Sequence, residues 1–216
     1  AAGSSLALGT LIVYIVSYYR VILQYDVDEN TFMSLFPLLL VFNTVFFFIA
    51  NRFIDRLGSR IVASLIGFFG ISLCFLSIMI PWHPYVFIFM FSLGFGSMKG
   101  TMYSSSLRAG WSHLPKRKGL ASGVILSGSG MGGGIASLCI FHIINPNGVE
   151  PILDKHDGNL YFPKELVKFY PEIQIRLCVI WTILMLIGIC LISNFKQEEQ
   201  ILPVEEYENY SENSST

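Results

Sequence analysis

At 216 residues, with 53% hydrophobic and only 13% charged side chains and a mean hydropathy of +0.58, the chain is too apolar for a soluble domain. Its formal net charge of −1 gives no electrostatic basis for binding nucleic acid. A polytopic membrane protein, with the lipid bilayer as its solvent, fits these values.

Six mostly apolar runs follow one another, at 4–23, 32–50, 62–80, 85–107, 120–144 and 177–195. At a rise of about 1.5 Å per residue, runs of this length cross a hydrocarbon core about 30 Å thick. They predict an all-α fold of six transmembrane helices over 1–195, followed by a polar acidic tail, 196–216, that stays disordered unless a partner holds it.

The first run carries Thr10, Tyr14 and Ser17 on one face, where they could hydrate a cavity or make packing hydrogen bonds. Arg20, near its outer end, reads as interfacial, with a substrate role as the alternative. Asp26, Asp28 and Glu29 follow in the first loop. After the second run, Asn51–Arg60 sets Arg52, Arg56 and Arg60 against Asp55 alone. Asp55 and Arg56 suit capping and charge pairing across helix ends, while Gly58 permits a tight turn with positive φ.

The fourth run holds Lys99, the one basic residue well inside a span. It lies about 21 Å along the helix from Tyr85, so it is either a site that attracts an anion or a lysine snorkelling to the boundary. Ser92, Gly96, Lys99, Tyr103 and Ser106 share one helical face, and a polar face should look into the bundle. The next loop has Arg108, Lys116, Arg117 and Lys118 and no acid. With the arginines of Asn51–Arg60, this puts loops two and four and both chain ends on the cytoplasmic or matrix-equivalent side. The sequons at Asn209 and Asn213 then face a compartment where they stay unmodified.

In the fifth run, Gly128-Ser-Gly-Met-Gly-Gly133 satisfies GxGxxG, yet no strand precedes it and no acid follows at the required distance. A nucleotide loop is therefore set aside. Gly128, Gly132 and Ala136 recur every four residues and, with Gly123, predict a helix-packing face. The outer loop Asn145–Ile175 is rich in proline and charge, with one short helix near Lys164–Phe169. Cys74, Cys139, Cys178 and Cys190 fall inside runs and read as packing residues. The four histidines have no metal-ligand spacing. No metal, cofactor or catalytic group is expected, and the chain is read as a non-enzyme.

Asn51-Arg-Phe-Ile-Asp-Arg-Leu-Gly-Ser-Arg60 resembles the loop between helices two and three of the major facilitator superfamily. Asp55, Arg56, Gly58 and Arg60 fall on its Gly-x-x-x-Asp-Arg-x-Gly-x-basic pattern, and Asn51 stands where that family has Gly. Gly110-Trp-Ser-His-Leu-Pro-Lys-Arg-Lys-Gly-Leu120, followed by Gly123, Gly128, Gly130 and Gly132, resembles the fourth loop and fifth helix of the oxalate/formate antiporter and monocarboxylate transporter branch. Tyr14–Arg20 and Leu35-Phe-Pro-Leu38 are similar to segments of that branch's first two helices, and Asn145-Pro-Asn-Gly148 to an outer loop of protist members. The resemblance implies the N-terminal six-helix half of a twelve-helix carrier that moves a small organic anion by alternating access. Its partner would be a second six-helix half. Lys99, Tyr103, Tyr14, Ser17 and Arg20 would lie along the substrate pathway, and Asp55, Arg56, Gly58 and Arg60 would latch the inner gate. A second expectation is a transport-inactive half-carrier serving as a structural accessory subunit of a larger membrane complex. It is motivated by Asn51 and by the bulky Phe46-Phe-Phe-Ile-Ala50.

Overall fold

A computed structural model describes residues 8–27, 29–79, 83–153 and 160–192. Asp28, His156, the Thr10 side chain, the acidic tail and its two sequons lie outside the described residues. Eight α-helices and one two-stranded ribbon make up the described chain: α1 (Leu8–Ser17), α2 (Glu29–Met33), α3 (Leu35–Leu57), α4 (Ser59–Met79), α5 (Pro84–His113), α6 (Lys118–Ile144), α7 (Lys164–Val167) and α8 (Tyr170–Leu191). A π-helical segment, Tyr18–Ile22, continues α1, and a 3₁₀ turn, Pro115–Arg117, precedes α6. The ribbon pairs β1 (Ile152–Leu153) antiparallel to β2 (Leu160–Tyr161) inside the long outer loop.

Four helical stretches are long and apolar enough to cross a membrane: Glu29–Leu57, Ser59–Met79, Pro115–Ile144 and Tyr170–Leu191. Six were expected. Of the first run only Leu8 onward is described, and its apolar stretch, Leu11–Ile22, is shorter than that criterion. The fourth run gives α5, ample in length at 30 residues but diluted by Gly94, Gly96, Ser97, Lys99, Gly100 and Thr101. Polar dilution suits its position, because α5 is the most enclosed of the long helices and packs chiefly against α3 and α4.

Two expected loops are largely helical. The backbone stays helical through Arg52 and Arg56 to Leu57, breaks at Gly58 alone, and resumes at Ser59. Likewise α5 continues past Arg108 to His113 before the 3₁₀ turn. Charged residues extended these helices because Arg and Lys are good helix formers that hydropathy alone reads as loop. At its other end α5 opens on Pro84, whose missing N–H and fixed φ suit a first helical position.

Phe87, Phe91 and Phe95 stack along α5, and Trp181 of α8 meets the Phe95 ring edge-on at 4.8 Å. Tyr19, Phe32 and Phe87 close the same core at the end where α5 begins. On the outside, Val41, Val45, Phe48 and Phe53 of α3 and Val124, Leu126, Met131 and Leu138 of α6 are exposed. So much exposed apolar surface on two helices points to lipid or to another apolar partner. Cys74 and Cys178 are buried, whereas Cys139 and Cys190 are exposed, so only the first pair packs as expected.

Candidate functional site

At the arginine-bearing end, the Gly58 turn links α3 to α4 through one residue. Its φ of 85° is a conformation that a Cβ disfavours, and its N–H closes α3 by donating to the Ile54 carbonyl at 2.9 Å. One turn earlier, Asp55 Oδ1 accepts from Arg108 Nη1 of α5 at 2.7 Å. One turn earlier again, Asn51 Oδ1 accepts from both Arg108 Nε (3.2 Å) and Ser104 Oγ (2.9 Å). Asn51 Nδ2 donates to the Phe47 carbonyl of its own helix, which fixes the amide's orientation. Two side chains four apart on α3 thus face two side chains four apart on α5, the spacing that places residues one above another on a helix. The Asp55 and Arg108 side chains are 60% and 39% exposed, so the pair is hydrated and can be broken at modest cost.

Arg60 does not join this cluster. Its Nε donates to the Ile189 carbonyl (3.1 Å) and its Nη2 to the Cys190 carbonyl (2.7 Å), so it caps the C-terminus of α8, where a cation is favoured. Arg56 is exposed and takes part in none of these bonds. Of the four motif residues, Asp55 ties α3 to α5, Gly58 makes the turn, and Arg60 ties α4 to α8.

The pathway candidates are not gathered in one place. Tyr14 is buried and stacked on Phe162 with ring centroids 4.3 Å apart. Ser17 is fully buried; its hydroxyl donates to Val13 and accepts the Phe162 N–H at 3.1 Å. Both therefore fasten the outer loop onto α1, which is the packing alternative and not a hydrated face. Arg20 pairs with Asp26. On α5, Ser92 and Gly96 are buried against α3: Ser92 Oγ donates to the Leu35 carbonyl, and a Cβ at Gly96 would stand 2.8 Å from the Leu39 carbonyl. Lys99 and Tyr103 sit beside that seam, each half-buried, with Tyr103 against the Phe47 ring. Lys99 has no hydrogen-bond or ion-pair partner among the described residues.

The glycines expected to pack α6 face open space. A Cβ at Gly123, Gly128 or Gly132 would meet nothing within 4 Å, and only Ala136 approaches the core. Of α6 only Ala121, Gly133, Ile140 and Ile144 are buried, so most of this helix has no close neighbour among the described residues. Beside the open face, an apolar groove of about 290 Å³ runs between α6 and α8, lined by Gly132, Ala136, Ile140, Leu177, Trp181 and Leu184. Close helix approach happens elsewhere. Gly70 of α4 and Gly94 of α5 each set their missing Cβ against the other's carbonyl oxygen, at 2.5 and 2.6 Å, and Gly100 meets the Asn43 carbonyl of α3. Sequence reasoning passed over these glycines and over Arg108 as a cross-helix partner. The four-residue step from Gly96 to Gly100, and the matching steps Asn51 to Asp55 and Ser104 to Arg108, were the available signals.

Among the described residues, no three His, Cys, Asp or Glu side chains converge as metal ligands would. No family model matches the chain, and neither a curated protein nor a solved structure does.

Proposed function

We propose that the chain is the first six-helix half of an alternating-access carrier of the major facilitator superfamily, in the oxalate/formate and monocarboxylate branch. It moves a small organic anion once a second six-helix half, from further sequence or another chain, completes it. The observation that carries this reading is the cluster of Asp55, Asn51, Arg108 and Ser104 beside the Gly58 turn. A half-exposed ion pair between neighbouring helices, at the end where the motif lies, is what a gate that opens and closes needs: firm enough to hold and hydrated enough to release. Asn51, standing where the family has Gly, replaces close backbone contact with hydrogen bonds to α5.

On this reading α1 with its π segment and α5 are the two further spans, shielded by the other four. The arginine-bearing end and both chain ends lie on the cytoplasmic or matrix-equivalent side. Lys99, half-buried and without a partner among the described residues, attracts the anion, with Tyr103 one turn away. The open glycine face of α6 receives the second half. No bond-making chemistry is asked of the chain.

Uptake of labelled oxalate, formate and lactate, by vesicles that hold the chain with its native membrane partners, tests the proposal. Flux that Lys99→Ala abolishes supports it; no flux above vesicles lacking the chain refutes it. One observation favours the second reading, a transport-inactive half-carrier acting as an accessory subunit. Tyr14 and Ser17, two polar side chains of α1 expected to face a cavity, are sealed under Phe162. Co-migration with a large multi-subunit assembly on native gels, with no flux, selects it.

A further inference from the structure

At the end of the bundle opposite the Gly58 turn, four hydrogen-bonding atoms are buried without a partner among the described residues. They are the hydroxyls of Tyr19 and Tyr170 and both amide atoms of Gln174. Their side chains belong to residues 1%, 3% and 0% exposed. All three line one small cavity, together with Tyr18, Ser77 and Phe87, where the π segment, α4, α5 and the start of α8 meet. The cavity leaves about 10 Å³ for the centre of a water molecule. Polar atoms in apolar surroundings are rarely left unpaired, and a buried water is the usual partner where the space is water-sized and polar.

We propose that this chamber binds one water molecule, which bridges the end of the first apolar helix to the start of the last. The chemistry of the lining selects a neutral ligand. Gln174 offers an acceptor and a donor, and each tyrosine hydroxyl can do either. No carboxylate stands among the lining residues to hold a cation and no basic group to hold an anion. Ser77 donates its own proton to the Cys74 carbonyl at 2.7 Å and so meets the water only as an acceptor. The volume excludes anything larger than water. Tyr18 and Tyr19 reach the chamber from the π segment, in which the Leu23 N–H donates to the Tyr18 carbonyl.

X-ray radiolytic footprinting of the full chain in lipid nanodiscs tests this, because hydroxyl radicals formed from a bound water label the side chains beside it. Phe91 and Phe95, both fully buried in the same core, are the dry controls. After correction for intrinsic reactivity, Tyr19 and Tyr170 should label several-fold faster than these phenylalanines, and Gln174→Leu should slow them to the control rate. Where the leucine variant does not fold, Gln174→Met removes the same two polar atoms at similar volume. Wild-type tyrosines that label no faster than Phe91 and Phe95 overturn the proposal, and that comparison needs no variant. Fast labelling that persists in the folded Gln174 variant also overturns it, since bulk solvent would then be the source.

Discussion

Replacing Gly94 with alanine tests whether the crossing of α4 and α5 is the hinge on which the bundle is built. The new methyl would stand 2.6 Å from the Gly70 carbonyl oxygen, 2.9 Å from Leu73 Cβ and 3.1 Å from Cys74 Sγ. A normal contact is about 3.5 Å or more, so the two helices must part by about 0.9 Å along that line. The obstruction is backbone, which cannot rotate away as a side chain could. Against backbone, overpacking costs toward the upper end of about 1–3 kcal/mol, and the better helix propensity of alanine returns up to about 1, leaving a net loss on the order of 2 kcal/mol. Gly132→Ala is the matched control, because its Cβ would meet nothing within 4 Å. Propensity then acts alone and should stabilise the isolated chain by up to about 1 kcal/mol. The pair Gly70→Ala and Gly94→Ala should cost less together than the sum of the singles, because one separation relieves both clashes. Unfolding by SDS from a mild detergent, followed through tryptophan emission, reads the wild type and all four variants, with Trp181 packed on Phe95 close to the crossing. Equal stability of Gly94→Ala and wild type, or an equal loss in Gly132→Ala, would refute the reasoning.

Three further outcomes follow from single contacts. Gly58→Ala forces a Cβ into φ 85°, ψ 154°, a region costing of order 1–3 kcal/mol, and should lower the same SDS midpoint. Ser17→Ala removes the acceptor for the buried Phe162 N–H, a loss of about 1–3 kcal/mol. It should speed proteolysis within 145–169, and an unchanged cleavage rate would contradict the anchoring role. Arg108→Lys keeps the charge but loses the planar fork that reaches Asp55 and Asn51 together, so stability should fall by only about 0–1 kcal/mol because the pair is hydrated. If the pair is a gate, uptake should change far more than the SDS midpoint, and parallel changes in both would count against gating.

Helical class and the membrane-length stretches are legible in the sequence because apolar runs of that length have few other solutions. Gly58 is legible too, since a lone glycine between charged residues marks a place where the chain must turn sharply. Helix ends were harder to read. Arg52, Arg56 and Arg108 interrupt hydropathy without interrupting the helix, so charge was taken for loop where it was the solvated end of a longer helix. The packing glycines were misplaced for a related reason. Spacing alone shows that small residues share a face, as Gly128 and Gly132 do, but not that a neighbour occupies it. Gly70 and Gly94 lie on different helices, and only three-dimensional packing reveals that each fits the other's carbonyl.

The same distinction separates the two ends of the molecule. Around Gly58 the polar contacts between helices are half-exposed, Asp55 with Arg108 and Arg60 with the α8 carbonyls, beside an apolar cluster of only three buried residues, Ala50, Ile54 and Val62. Around Tyr19 the contacts are aromatic, buried and mutually enclosing: Tyr18, Tyr19, Phe32, Phe87 and Tyr170, with the outer loop fastened over Tyr14 and Ser17. Hydrated ion pairs exchange partners at little cost, whereas interlocked rings must be unpacked from an apolar core before they move. Any rocking of these helices should therefore pivot near the aromatic end and open at the arginine-bearing end. Disulfide trapping gives the direct reading: a crosslink between cysteines placed at Asp55 and Arg108 should freeze the motion, and one between Tyr14 and Phe162 should leave it intact.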